Sequence, residues 1–178
     1  MLDVHVLLSP TTRADWQRQC LTSLTLAISR AGYPVTLHKI EAHAGHIGKG
    51  RADGYARGSY PWVTCVDDDD VVLPDALANL AQGFRDGVAA VSTLEVEMRN
   101  NAFRMGGKRH HLSAFLRTRI IDHSKWSCCG DVAQTRAIAD EEWHDVKTPG
   151  YLWRVYEGSK ARDLRLANQD ELRRANEY

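Results

Sequence analysis

Trp62-Val63-Thr64-Cys65-Val66-Asp67-Asp68-Asp69-Asp70-Val71-Val72-Leu73-Pro74 is a short apolar run that ends in four consecutive carboxylates. The first five residues suit a buried strand. Side by side, the aspartates repel one another, and their pKa values rise unless a cation compensates. Pro74 stands where a first helical residue would, and Leu77, Leu80, Ala81 and Phe84 follow at i, i+3, i+4 and i+7. A solvated acidic turn at a helix start is the simplest account of such a run. The place of this one, at the carboxyl end of a strand, is where open α/β sheets take their ligands. Carboxylate oxygens suit Mg²⁺ or Mn²⁺, ions that also bridge diphosphate oxygens.

Outward from that stretch, strands and helices alternate. Residues 4–8 predict a first strand, residues 14–31 a helix carrying Leu21, Leu24 and Ile28, and residues 35–40 a second strand. Residues 42–59 hold Gly45, Gly48, Gly50, Gly54 and Gly58 and read as a loop with room for one short helix. Residues 88–96 predict a fourth strand, which completes the order of an α/β domain with a mostly parallel sheet. Residues 99–111, basic and containing Gly106-Gly107, read as a long loop. Residues 111–121 suit a strand or a short helix, 131–146 contain a helix, 151–156 suit a strand, and the charged tail from Ser159 a fraying surface helix with Leu164, Leu166 and Leu172 as sparse anchors.

With 178 residues and 43% hydrophobic content, the chain supports one folded domain. Its 23 basic and 23 acidic residues cancel, which argues against a global basic field for nucleic acid. No apolar run is long enough to span a membrane, and the N-terminus lacks the basic region of a secretion signal. Cys20, Cys65, Cys128 and Cys129 form no metal-binding spacing and read as reduced thiols of a cytoplasmic protein.

Several segments carry a family resemblance. Val66-Asp67-Asp68-Asp69-Asp70-Val71-Val72-Leu73-Pro74 resembles the family-2 glycosyltransferase signature: an apolar residue, Asp-x-Asp-Asp, three mostly apolar residues, then Pro. Arg51-Ala52-Asp53-Gly54-Tyr55-Ala56-Arg57-Gly58-Ser59-Tyr60 is similar to the family's Arg-Asn-x-Gly segment ending in Gly-x-Tyr. Ser9-Pro10-Thr11-Thr12-Arg13 resembles its first nucleotide-binding loop, and Trp153-Arg154-Val155-Tyr156-Glu157-Gly158-Ser159 its late Tyr-Arg-x-His-x-x-Ser segment. The likeness covers residues 4–97 and, more loosely, 140–159. Two departures stand out: Glu41-Ala42-His43-Ala44 replaces an acidic Ser/Asp-rich motif, and Tyr156 stands where His is common.

The resemblance implies an α/β, single-domain nucleotide-diphospho-sugar transferase (glycosyltransferase A) fold, a mostly parallel central sheet with flanking helices. It places the catalytic domain at residues 1–158 and a charged, helical tail at 159–178. It further implies a metal-dependent glycosyltransferase using Mn²⁺ or Mg²⁺ and a nucleoside-diphosphate sugar, a UDP-sugar first. The acceptor would be a glycan, a small molecule or a modified nucleic-acid base. By position Asp69 matches the metal-binding aspartate, with Asp67 as a second ligand. Asp67 and Asp68 would face the ribose or reach the metal through water, and Asp70 would share either task or cap the helix. Thr11, Arg13, Lys49 and Arg51 are the expected nucleotide and diphosphate contacts, since fixed cations stabilise a leaving phosphate.

Asp140-Glu141-Glu142-Trp143 lies near the family's catalytic acid. Asp140 and Glu141 are the expected acceptor bases in an inverting displacement, and Trp143 a platform for an acceptor sugar. His144 is read as an ordinary surface residue rather than a metal ligand or base. Lys108, Arg109, His110 and His111 form a basic corner suited to covering phosphates or guiding an anionic acceptor. Two rival readings remain at this point: a nucleotidyltransferase, and a non-catalytic cation- or nucleic-acid-binding module.

Overall fold

The computed structural model describes residues 1–107, 109, 111–156 and 168–178. Lys108, His110, the Glu157-Gly158-Ser159 end of the late motif, and the Leu164 and Leu166 anchors lie outside the described residues.

Strand β1 (Leu2–Leu8) feeds helix α1 (Ala14–Arg30), which buries Cys20, Leu24 and Ala27 on one face. Gly32, at φ 77°, turns the chain into β2 (Val35–Glu41). The glycine-rich segment contains a genuine helix, α2 (Ile47–Tyr55), and its glycines explain why it sits so close to the sheet. A Cβ on Gly54 would strike the His5 ring of β1, and one on Gly48 would overlap the Trp126 and His123 carbonyl oxygens. Strand β3 (Trp62–Asp67) leads into the aspartates, followed by the two-residue β4 (Val71–Val72) and the short helix α3 (Ala76–Leu80).

Sequence and structure part company after residue 88. Strand β5 runs Ala90–Arg99, and residues 99–111 are not simply a loop, because β6 (Ala102–Met105) folds back on β5. Asn100 and Asn101, at φ 50° and 61°, make the tight hairpin turn, a left-handed conformation that Asn tolerates. Strand β7 (Ser113–Leu116) and helix α4 (Gly130–Arg136) follow. The helix expected within residues 131–146 is α4, and β8 (Trp143–Val155) begins before that stretch ends. Register shifts opposite Ser92, Leu94 and Glu95 bulge β8 around Pro149-Gly150, where a Cβ on Gly150 would meet Thr93. A last helix, α5 (Gln169–Glu177), buries Glu171 and Ala175 and is therefore docked rather than a fraying surface tail.

The strands form one sheet in the order β2-β1-β3-β7-β5-β8-β4, with β6 on the edge of β5. β2, β1, β3, β5 and β8 run in one direction and β7, β6 and β4 in the other, so the sheet is mostly parallel, as expected, with three antiparallel strands among the eight. The main core joins α1 and α3 to one face through Leu2, Val4, Val6, Leu24, Leu77, Leu80 and Tyr151. Burying each such side chain contributes roughly 1.5–3 kcal/mol. Among the described residues no helix is long and apolar enough to cross a membrane.

Candidate active site

The aspartates occupy a tight turn between β3 and β4, closed by the Asp70 N–H donating to the Asp67 carbonyl at 3.3 Å. Because β4 pairs with Leu152 and Tyr151 of β8, the last strand clamps the turn from one side. Each carboxylate has a distinct environment. Asp68 is 4% exposed and accepts from the Ser9 N–H at 2.6 Å, the Thr12 hydroxyl at 2.7 Å and the Gln17 side-chain amide at 2.8 Å. It pins the β1–α1 loop to the turn. Asp70 is 1% exposed and accepts from the Arg154 N–H at 2.7 Å. Burial, then the charges of Asp69 and Asp67, push its carboxyl well above the usual range. Asp70 thus faces inward and caps no helix.

Asp69 accepts from the Tyr156 hydroxyl at 2.9 Å, so the residue that replaces the family's His still touches the motif. Burial and the neighbouring Asp67 charge raise the Asp69 carboxyl from 3.8 to about 6. The Arg154 guanidinium holds the Asp69 carbonyl and Gln19, and lies 5.4 Å over the Trp16 ring.

Asp67 faces a cavity of about 30 Å³, lined also by Arg51, His111, Asp131 and Tyr151, with room for a water or an ion. The Arg51 side chain, only 11% exposed, comes from the middle of α2. It lies 3.3 Å from Asp67 and 3.8 Å from Asp131 in the first turn of α4. These charges outweigh its desolvation and keep Arg51 firmly protonated. Asp67, Asp70 and His111 offer ligand atoms all within 4.8 Å of one another. Two carboxylates beside an imidazole, one of them the buried Asp70 with its raised pKa, are a donor set that fits a divalent cation.

Of the residues expected from sequence, the structure gathers Asp67, Asp68, Asp69 and Arg51. Thr11 and Lys49 lie exposed, on the first loop and on α2, and the Arg13 guanidinium pairs with Asp15 over the Trp16 ring. Asp140 and Glu141 are not brought to the cluster. They precede Trp143, which pairs with Ala90, level with Val63 through Phe115. Asp67 lies four residues further along β3, about 13 Å up the strands at ~3.3 Å per residue and roughly 14 Å across them. Asp140 is 90% exposed and bound to Arg109. Trp143 is buried against Phe115 and offers no acceptor platform, and His144 contacts Arg85 at 3.2 Å. Sequence reading missed Asp131, whose place depends on a contact with α2, and treated His111 only as part of a basic loop. Asp131 sits at a helix start, but nothing local distinguishes it from an ordinary first-turn acid.

Comparison with known proteins agrees with this fold. No curated protein matches the chain in sequence. Among solved structures, S. aureus TarS 1–349 in complex with UDP-GlcNAc superposes with a TM-score of 0.68 at 11% identity, covering 90% of this chain and 60% of that one. The chain therefore spans about 60% of the length of that TarS fragment. Rv0371C of Mycobacterium tuberculosis H37Rv, in complex with manganese, superposes with a TM-score of 0.53 at 12% identity, covering 99% and 98% of the two chains. At these identities the likeness is one of fold, and the fold is that of the glycosyltransferase A class. The family model for Glycosyl transferase family 2 matches residues 35–143, more than half of the chain, from β2 through α2, the aspartate turn and α4 to the first residue of β8. With the aspartate turn at the carboxyl edge of this sheet, that match makes the chain a member of glycosyl transferase family 2.

Proposed function

We propose that this protein moves a sugar from a nucleoside-diphosphate sugar, a UDP-sugar first, to an acceptor hydroxyl with inversion, using Mn²⁺ or Mg²⁺. The observation that carries the reading is Asp67, at the head of the acidic turn, facing Arg51 and Asp131 across one cavity at the carboxyl edge of the sheet. Asp67, Asp69 and Asp70 are the carboxylates that hold the cation. A bound divalent ion would supply positive charge against the leaving diphosphate. Arg51, fixed by two carboxylates, adds a preorganised cation at the same place. Thr11, Arg13 and Lys49 rim the diphosphate, and Asp68 acts by holding the first loop rather than by touching nucleotide.

The acceptor base is assigned to Asp131 in place of Asp140 or Glu141. Its carboxylate comes from α4, across the cavity from β3, and lies within an ion pair's reach of Arg51, which also contacts Asp67. A base there takes the hydroxyl proton from the side opposite the leaving group, and a single displacement inverts the anomeric centre. The acceptor is a hydroxyl of a glycan, a small molecule or a modified nucleic-acid base. Four free cysteines suit a reducing compartment and support a cytoplasmic location.

Calorimetry with UDP, with and without Mn²⁺, tests the reading. Tighter binding with Mn²⁺ is expected. Equal affinity in both conditions, or none for any nucleoside diphosphate, refutes it. NMR of the product's anomeric proton should show inversion.

A further inference from the structure

We propose that His111 is a ligand of the divalent cation, making with Asp67 and Asp70 a mixed imidazole–carboxylate site. This rests on the cation reading above and extends it to a residue outside the aspartate motif. The three side chains come from separate parts of the chain: the end of β3, the turn before β4, and the segment between β6 and β7. Their ligand atoms nevertheless converge within 4.8 Å.

The imidazole is held as metal-binding histidines are held. Its Nδ1 lies 2.7 Å from Glu95 Oε2, and Glu95 is 6% exposed in β5. The ring stacks on Tyr151 at 5.2 Å, with 7° between planes, and packs against Trp153 at 5.0 Å. Glu95 is itself fixed, its backbone exchanging hydrogen bonds with Gly106 and Gly107 of the returning hairpin. A carboxylate on one ring nitrogen sets the tautomer and aims the other nitrogen at a metal. With Glu95 on Nδ1, Nε2 is the nitrogen assigned to the cation.

The aromatic shelf beneath the ring is part of the same construction. Tyr151 accepts from the Asp67 N–H at 3.2 Å, so one residue of β8 supports both the imidazole and the acidic turn. An imidazole in an otherwise oxygen set favours Mn²⁺ over Mg²⁺, which takes hard oxygen ligands. The site should therefore discriminate between the two ions through His111.

Pulsed electron paramagnetic resonance of bound Mn²⁺ reads directly whether a nitrogen is coordinated. The protein with Mn²⁺ and UDP should show a ¹⁴N coupling that changes on ¹⁵N-histidine labelling. His111→Gln should abolish the coupling, weaken Mn²⁺ at least about tenfold and narrow the preference over Mg²⁺. Glu95→Gln should keep the coupling while weakening Mn²⁺ by roughly 10–100-fold, as a positioning residue would. His144→Gln, at a histidine that contacts Arg85 instead, should leave the coupling unchanged. Mn²⁺ bound without nitrogen coupling, or a coupling that survives His111→Gln, overturns the assignment of His111 and leaves the cation reading standing. Failure of the wild-type protein to bind Mn²⁺ at all overturns both. The wild-type spectrum decides the question even where a variant folds poorly.

Discussion

Replacing Asp69 with Asn should make the metal-free protein more stable at neutral pH. The Asp69 carboxyl is raised from 3.8 to about 6, by burial and then by the Asp67 charge, with the Tyr156 hydroxyl offsetting part of the cost. Between those two pH values the folded state binds more protons than the unfolded one, so stability falls as pH rises through the window. Below about pH 4 the cost is absent, and above about pH 6 it is present in full. The gap between 3.8 and about 6 corresponds to at most roughly 3 kcal/mol. Asn keeps the side-chain shape and still accepts from Tyr156, but carries no charge. Relief of the full cost would raise the midpoint of thermal unfolding by roughly 6–12 °C, at about 2–4 °C per kcal/mol for a chain of this size.

Melting curves of wild type and Asp69→Asn in chelator, at about pH 4 and about pH 7, check the sign and the window together. The variant's advantage should appear at neutral pH and vanish in acid. Added Mn²⁺ should reverse the ranking, since the cation stabilises only the state that binds it. A metal-free variant no more stable than wild type at neutral pH refutes the account of Asp69 as an electrostatically loaded site.

Asp131→Asn should lower kcat by about 10²–10⁴-fold, the range for a positioned proton acceptor, while UDP affinity measured by calorimetry changes little. Wild-type turnover in that variant would place the base elsewhere. Asp140→Asn and Glu141→Gln should each keep wild-type turnover in a steady-state assay, and a large loss in either would refute their exclusion. Asp68→Ala strands the Ser9 N–H and removes the acceptor of Thr12 and Gln17, so urea unfolding should show a loss of roughly 2–4 kcal/mol. Gly54→Ala drives a Cβ into the His5 ring and should cost about 1–3 kcal/mol in the same assay, with no loss meaning that α2 shifts freely.

How far the sequence spoke for itself depended on where each element draws its order. β3, the acidic turn and α1 were legible because apolar runs and helical spacing are local signals. β6 was missed because all four of its residues are exposed, so no alternation marks it, although Asn100-Asn101 was a usable turn signal. Only the end of β8 is legible as strand, because the bulge at Pro149-Gly150 breaks its period. The antiparallel course of β7 is set by its neighbours β3 and β5 and has no counterpart in its four residues. The site divides the same way. The aspartates announce themselves, whereas Asp131 and His111 acquire meaning only from Arg51 on α2 and Glu95 on β5, contacts fixed by packing. The place of Asp140 and Glu141 away from the cluster was not legible, because order along the chain says little about which edge of the sheet a turn occupies.

The glycine face of α2 sets when Arg51 can take its place. Gly48, Gly50 and Gly54 lie within nine residues, each costing a helix about 1 kcal/mol relative to Ala. A segment that short and that poor in propensity has no helical existence of its own in water. It becomes a helix only against β1 and the turn at His123–Lys125, where the missing side chains let its backbone settle. Amide exchange in α2 should accordingly follow the opening of that docked surface rather than fraying from the helix ends. Its protection factors are a direct gauge of how often the cavity between Asp67 and Asp131 loses its cationic wall.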